Sequence, residues 1–118
     1  EYLRAVERGT RSPDGDPGPE YWQQWADYVI EARVDEDAKT LTGSETIRYR
    51  NNAPGELPVL VLNLLQNYHA EGVERVRPAE VTGGMAIERV AVNGRELGAT
   101  TSRDTPGWAV DGTLMYVV

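Results

Sequence analysis

Apolar and polar side chains alternate between Ala26 and Val34, and this period of two predicts a β-strand with one face in water. Tyr28, Ile30, Ala32 and Val34 share one face, and Asp27, Glu31 and Arg33 fall largely on the other. A second alternating segment, Thr40 to Arg50, puts Leu41, Gly43, Glu45, Ile47 and Tyr49 on one face. With Asp35 to Lys39 as a five-residue connection, the two segments predict an antiparallel hairpin.

Glu45 is the one charged residue on the apolar side of this second strand. Burying an unpaired carboxylate is costly, so a position at an edge or rim, where the carboxylate reaches water, is favoured over a functional acid.

The segment from Leu57 to Leu65 is apolar at both odd and even positions. Such a pattern is typical of a strand that is covered on both sides. In a two-layered β-protein, one side of this strand would lie in the core and the other against a neighbouring layer. The pattern is therefore the first indication of a partner domain.

The rest of the chain predicts short elements joined by turns. Residues 1–8 have the spacing of one or two helical turns that stop at Gly9, and 10–19 form a Pro/Gly-rich loop. A strand broken by Pro78 is predicted within 71–84, and a β-bulge between Ile87 and Val90. Asn93-Gly94 predicts a two-residue hairpin turn. The final strand, 113–118, has no closing turn, so a C-terminus cut within a larger unit is expected.

Bulk composition excludes several classes of protein. A chain of 118 residues with 40% apolar and 26% charged side chains is that of one small globular domain. A net charge of −7 argues against nucleic acid, which requires a basic surface. No apolar run is long enough to span a membrane. Without cysteine there is neither a disulfide framework nor a thiolate metal site.

Four sequence stretches together resemble a known family. They are Tyr21-Trp22-Gln23-Gln24 before the first strand, Leu41 to Glu45 leading into Ile47 to Asn52, Leu60 to Leu64 ending at Gln66-Asn67, and Val90 to Gly94. In combination these stretches are similar to the N-terminal domain of aminopeptidase N-like zinc metallopeptidases (gluzincins), in particular the bacterial members. The resemblance covers most of the chain from about Pro17 onward.

This resemblance implies an all-β fold: a mostly antiparallel, saddle-like β-sandwich with a short N-terminal helix, lying before a thermolysin-like catalytic domain. The expected division is a helix and tether at 1–20 and the sandwich at 21–118, truncated at its C-terminus. The bacterial relatives also imply a periplasmic or secreted location, while the lack of cysteine fits either side of an inner membrane.

The family holds zinc with two His and one Glu, and the His pair lies in a His-Glu-x-x-His motif. This chain has a single histidine, His69, for which a surface-loop role is favoured over metal binding. No catalytic, cofactor or metal residue is therefore carried over, and zinc is expected only in the catalytic domain of the parent protein. The segment itself is expected not to be an enzyme.

The expected partner is that catalytic domain, contacted through Tyr21, Trp22, Trp25, Val59 and Val61. The aromatic cluster is otherwise a core anchor or, in the alternative function of a free-standing carbohydrate- or protein-binding module, a stacking platform. Open sheet edges in a truncated sheet also predict a possible dimer.

Overall fold

The computed structural model describes residues 1–102 and 104–118, and its fold is all-β with antiparallel sheets and one short α-helix. Two compact units divide the chain, Glu1–Glu56 and Leu57–Val118. The predicted all-β class is confirmed. Face-to-face packing of two sheets, which defines a sandwich, stays a prediction, as do the domain limits.

The first unit begins with helix α1, Tyr2–Glu7. Gly9 ends the helix at a positive φ of 71°, and its N–H bonds to the Val6 carbonyl. Glycine adopts this left-handed conformation without strain, because it has no Cβ. The helix and its stop are thus as predicted.

The Pro/Gly-rich loop folds back on the end of this helix. Backbone bonds join Gly18 N to Thr10 O at 3.1 Å and Glu20 N to Gly9 O at 3.0 Å. Within the loop the Ser12 hydroxyl donates to the Asp14 carboxylate, which lowers the pKa of Asp14 below its ordinary value. The loop is therefore an organised turn structure.

Strands β1, Trp25–Asp35, and β2, Thr40–Arg50, form an antiparallel hairpin. Asp35 pairs with Thr40, so the turn is the four residues 36–39, one fewer than predicted. Asp35 extends the ladder while its Oδ1 accepts the Ala38 N–H at 2.8 Å, and Lys39 closes the turn at a positive φ of 55°.

The second unit is built on a three-stranded sheet in the order β3-β7-β6. Its strands are β3, Leu60–Asn63, β6, Trp108–Asp111, and β7, Leu114–Val117. A separate hairpin joins β4, Val90–Val92, to β5, Arg95–Leu97. The β4–β5 turn is the predicted Asn93-Gly94, with both residues at positive φ.

The core of the described chain lies in this unit and is aliphatic. Leu64, Met115 and Val117 are buried, and a ring of half-buried side chains packs against them: Leu60, Leu62, Ile87, Val90, Leu97 and Trp108. Aromatic anchors from Tyr21, Trp22 and Trp25 were one prediction for the core, and that prediction is wrong, because all three side chains are largely exposed.

Two predictions about strands are also wrong. No strand forms within 71–84. Backbone groups of this segment make hydrogen bonds to loop and side-chain groups and not to a neighbouring strand: Thr82 N and Gly83 N both bond to His69 O. The Arg75 guanidinium donates to the carbonyls of Tyr68, Val73 and Ala70. No bulge forms at Ile87, because β4 begins only at Val90.

The segment 57–65 is covered on one side only among the described residues. Only its middle, Leu60–Asn63, is a strand, and a 3₁₀-helix follows at Leu65–His69. Leu60, Leu62 and Leu64 face the core, whereas Val61 is 53% exposed and Leu65 76% exposed. The predicted cover on the second side is thus absent from this part of the structure.

Asn67 ties the irregular part of this unit to its sheet. It is the buried polar residue of the described chain, at 6% exposure. Its Nδ2 donates to Gly112 O at 3.0 Å in the β6–β7 turn, and its Oδ1 accepts the Met85 N–H at 2.8 Å. One amide thus joins two segments that are far apart in sequence.

We predict that Asn67→Ala lowers the free energy of unfolding by about 2 kcal/mol, because it leaves the Gly112 carbonyl and the Met85 N–H without their partner. Denaturant titration measures the change. Asn63→Ala is the matched control, since the Asn63 side chain is exposed on β3. The change there should stay within about 0.5 kcal/mol, as is usual for surface substitutions. Equal losses in the two variants would contradict this role for Asn67.

Candidate interaction surface

One face of the β1–β2 hairpin, here called the hairpin face, is apolar and open. The strand register places the predicted apolar positions directly opposite each other: Ala26–Tyr49, Tyr28–Ile47, Ile30–Glu45, Ala32–Gly43 and Val34–Leu41. Tyr28, Ile30, Val34 and Leu41 are 57%, 66%, 65% and 70% exposed. The pattern predicted this face correctly, and within the first unit no element packs against it.

The opposite face of the hairpin carries most of its charged and hydroxyl side chains. Asp27 lies opposite Arg48, Glu31 opposite Ser44, and Arg33 opposite Thr42. Val29 and Trp25 also lie on this face, at 64% and 51% exposure, so the face is mixed, and the hairpin face is the more apolar of the two. Burying a side chain the size of Val, Leu or Ile stabilises by about 1.5–3 kcal/mol relative to leaving it exposed.

Glu45 lies in the middle of the hairpin face, opposite Ile30, and its side chain is exposed. The prediction that its carboxylate reaches water is confirmed. A surface that covers the hairpin face must either leave this carboxylate wet or place a cation or hydrogen-bond donors beside it, because an unpaired buried charge is strongly unfavourable.

A polar clasp closes the open end of the hairpin. It consists of Gln23, Gln24, Asn51 and Asn52. Gln24 Nε2 donates to Asn51 Oδ1 and Gln24 Oε1 accepts the Asn52 N–H, both at 2.7 Å. Asn52 Nδ2 donates to the Gln23 carbonyl, also at 2.7 Å.

This clasp brings together two stretches that lie 27 to 29 residues apart in the sequence. The four residues carry part of the family resemblance, yet no local pattern shows that they would meet. The closest signal is chemical: paired amides on either side of a predicted hairpin can bond across it. The clasp holds the segment that carries Tyr21 and Trp22 against the end of β2.

The predicted contact aromatics are all on the surface. Tyr21, Trp22 and Trp25 are 48%, 40% and 51% exposed. Trp25 begins β1 opposite Arg50, so it lies on the polar side of the hairpin and not on the hairpin face. Their exposure is compatible with a docking contact or a stacking platform.

The remaining predicted contacts, Val59 and Val61, belong to the second unit. Val59 is half-buried, and Val61 lies exposed on the side of β3 away from the core. The second unit also has an open groove of about 400 Å³. Leu57, Leu60, Leu97 and Val117 line it, and Arg95 and Glu96 supply charges. No local sequence pattern predicts this groove, because its walls come from strands that are distant along the chain.

His69 ends the 3₁₀-helix and is half-buried. Its Nδ1 lies 2.9 Å from the Glu80 carbonyl, an acceptor, so Nδ1 carries the proton and donates. Tyr68 packs edge-on against the ring, with centroids 5.7 Å apart. The ring is thus a structural contact between the helix and the following loop.

The described residues hold no group of three His, Cys, Asp or Glu side chains that could bind a metal ion. None of the helices in residues 1–102 and 104–118 is long and apolar enough to cross a membrane. No family model, curated protein or solved structure matches the chain.

We predict that Gln24→Ala loosens the open end of the hairpin, because it removes both side-chain bonds that Gln24 makes to Asn51 and Asn52. The Asn52 amide proton should exchange with solvent roughly tenfold faster, which corresponds to about 1.4 kcal/mol for a lost hydrogen bond. Amide exchange followed by NMR measures it. Gln23→Ala is the control, since it keeps the backbone carbonyl that Asn52 uses, and comparable acceleration there would argue against the clasp.

Proposed function

We propose that this chain is a non-catalytic N-terminal β-domain of an aminopeptidase N-like zinc metallopeptidase. In this role it supports the catalytic domain and forms one wall of the substrate cleft. The observation that carries the proposal is the hairpin face: a regular apolar surface, in a chain with a family resemblance to a domain that lies against another. The all-β fold and the exposed side of β3 also support it.

In this proposal the zinc ion belongs to the catalytic domain of the parent protein. The family's site requires two His and one Glu, whereas this chain has one histidine. The residues present do not fit the family's metal site, so this segment's role in the proposal is support without catalysis.

Two features define the surface that the catalytic domain would offer. It must be apolar over the area of Tyr28, Ile30, Val34 and Leu41, since these side chains remain mostly exposed. It must also carry a basic or hydrogen-bonding group, or a water-filled gap, opposite Glu45. The predicted contact residues add to this interface: Tyr21, Trp22, Trp25, Val59 and Val61.

The reading frame of the gene tests the proposal directly. Beyond Val118 it should encode a His-Glu-x-x-His motif, with a further Glu on the following helix. A frame that closes soon after Val118 would contradict the proposal.

In the parent protein, Leu41→Asp should lower the thermal midpoint by several degrees, because it places a carboxylate in the interface formed by the hairpin face. Thr42→Asp is the matched control, since Thr42 is the next residue but lies on the polar face. An unchanged thermal midpoint of the parent protein with Leu41→Asp would argue against this interface.

The 118-residue chain by itself supplies the second control for this pair of variants. Both side chains are exposed there. Each change should therefore alter the free energy of unfolding by about 0.5 kcal/mol or less. A large loss with Leu41→Asp in the isolated chain would show that the residue stabilises the hairpin itself and not an interface.

The exposure of Tyr21, Trp22 and Trp25 favours one alternative: a free-standing carbohydrate- or protein-binding module that uses these rings. Under this alternative, Trp22→Ala should abolish binding to a glycan or peptide found by screening the intact chain, and leave the melting temperature nearly unchanged. Tyr2→Ala, an aromatic truncation in the helix, is the control. Unfolding on Trp22→Ala would assign the ring a structural role instead.

A further inference from the structure

The outer edge of β1 is an unused hydrogen-bonding surface. Strand β1 runs for 11 residues, and β2 is the strand that pairs with it. Every residue from 27 to 35 is exposed, and the backbone bonds of the described residues outside the strand ladders do not involve any of them. Alternate residues along this edge therefore present N–H and C=O groups to solvent, which is the usual template for pairing with another strand.

We propose that β1 pairs with β1 of a second copy of this chain, antiparallel, with Ile30 at the two-fold axis. The product is a continuous four-stranded sheet in the order β2-β1-β1-β2. A two-fold axis perpendicular to a sheet keeps each side chain on its own side, so directly opposite residues must share a face. The permitted registers therefore centre on single residues of β1, and the charges on its polar face decide between them.

Ile30 is the middle residue of Trp25–Asp35, so centring the axis there pairs all 11 residues of the strand. This register puts Asp27 opposite Arg33 of the second copy, and by symmetry the same pair forms twice. On the hairpin face it puts Tyr28 opposite Ala32 and Ala26 opposite Val34, which sets large side chains against small ones. Opposite-charge and apolar cross-strand pairs of this kind stabilise a sheet.

Neighbouring registers are poorer. Centring on Val29 puts Asp27 opposite Glu31, and centring on Glu31 puts Asp27 opposite Asp35 while Glu31 faces its own copy. Like charges directly opposite each other destabilise a strand pair. Centring on Ala32 restores a Glu31–Arg33 pair but shortens the ladder at both ends. The Ile30 register alone combines full length with complementary charge.

The edge of β2 is protected against the same reaction. Glu45 is the middle residue of Thr40–Arg50, so full-length self-pairing of β2 would place the two Glu45 carboxylates side by side. A charge on the apolar side of an edge strand is a recognised defence against pairing. Glu45 therefore directs self-association to β1.

This inference does not depend on the proposed function. It uses the edge of β1, whereas the proposed function uses the hairpin face, and a four-stranded sheet would double that face without covering it. An edge contact of this size buries less than a standard protein interface, so we expect a dissociation constant of roughly micromolar to millimolar.

Single cysteines test the register, because the chain has none of its own. Directly opposite residues in an antiparallel pair have Cα atoms about 4.5–5.5 Å apart, within the range for a disulfide. Under mild oxidation, Ile30→Cys should form a covalent dimer at a rate that increases with chain concentration. Tyr28→Cys on the same face should stay monomeric, since its partner position is Ala32. Mixing Tyr28→Cys with Ala32→Cys should restore the cross-link.

Charge reversal tests the same register without a cross-linking reaction. Arg33→Asp should raise the dissociation constant by roughly tenfold or more, because two attractive pairs become repulsive. Asp27→Arg/Arg48→Asp reverses Asp27 and its partner within the hairpin, and should weaken its own dimer similarly. Mixed with Arg33→Asp, it should form a heterodimer at the original affinity. Arg50→Asp changes the net charge equally but lies on β2, so it is the control.

Sedimentation equilibrium decides the outcome. A chain that remains monomeric at millimolar concentration overturns the proposal. Equal cross-linking of Ile30→Cys and Tyr28→Cys would overturn the register, and failure of the mixed variants to form a heterodimer would overturn the Asp27–Arg33 pairing. None of these measurements depends on a catalytic domain, so failure here is distinguishable from failure of the proposed function.

Discussion

The main constraint on this structure is the difference in polarity between the two faces of the β1–β2 hairpin. A hairpin of two 11-residue strands has one face that carries most of its charges and one that is mainly apolar. Isolated two-stranded hairpins are only marginally stable in water. The hairpin is therefore expected to pack its apolar face against another surface. In the proposed function, the catalytic domain supplies that surface.

The second unit buries apolar side chains of its sheet within its own core. Its three-stranded sheet presents Met115 and Val117 to a small core, which Leu64 completes from just beyond β3. Specific polar contacts hold the segments between the strands. Asn67 and Arg75 make most of these contacts, because the side chain of each forms hydrogen bonds to backbone groups that have no partner in a strand ladder. Such a core is small for the length of chain that it organises.

Several elements could be predicted from local pattern with good accuracy. Strand β2 is where the alternation put it, β1 differs by one residue at each end, and the Asn93-Gly94 turn has the positive φ angles that its residues favour. Strand β6 was missed although Asp111-Gly112 before a strand-like run is a hairpin signal. The failures lie where side-chain contacts outweigh pattern, as in 71–84, where Arg75 and His69 hold the backbone.

The sequence by itself determined which residues share a face, because the period of a strand is a local property of the backbone. It therefore determined the apolar side of the hairpin, the position of Glu45 upon it and the all-β class. Only the tertiary structure decided how far those side chains are covered within their own unit, since burial depends on which segments fold against them. The same holds for the Gln24–Asn51–Asn52 clasp and for Asn67, whose bonds join residues far apart in sequence.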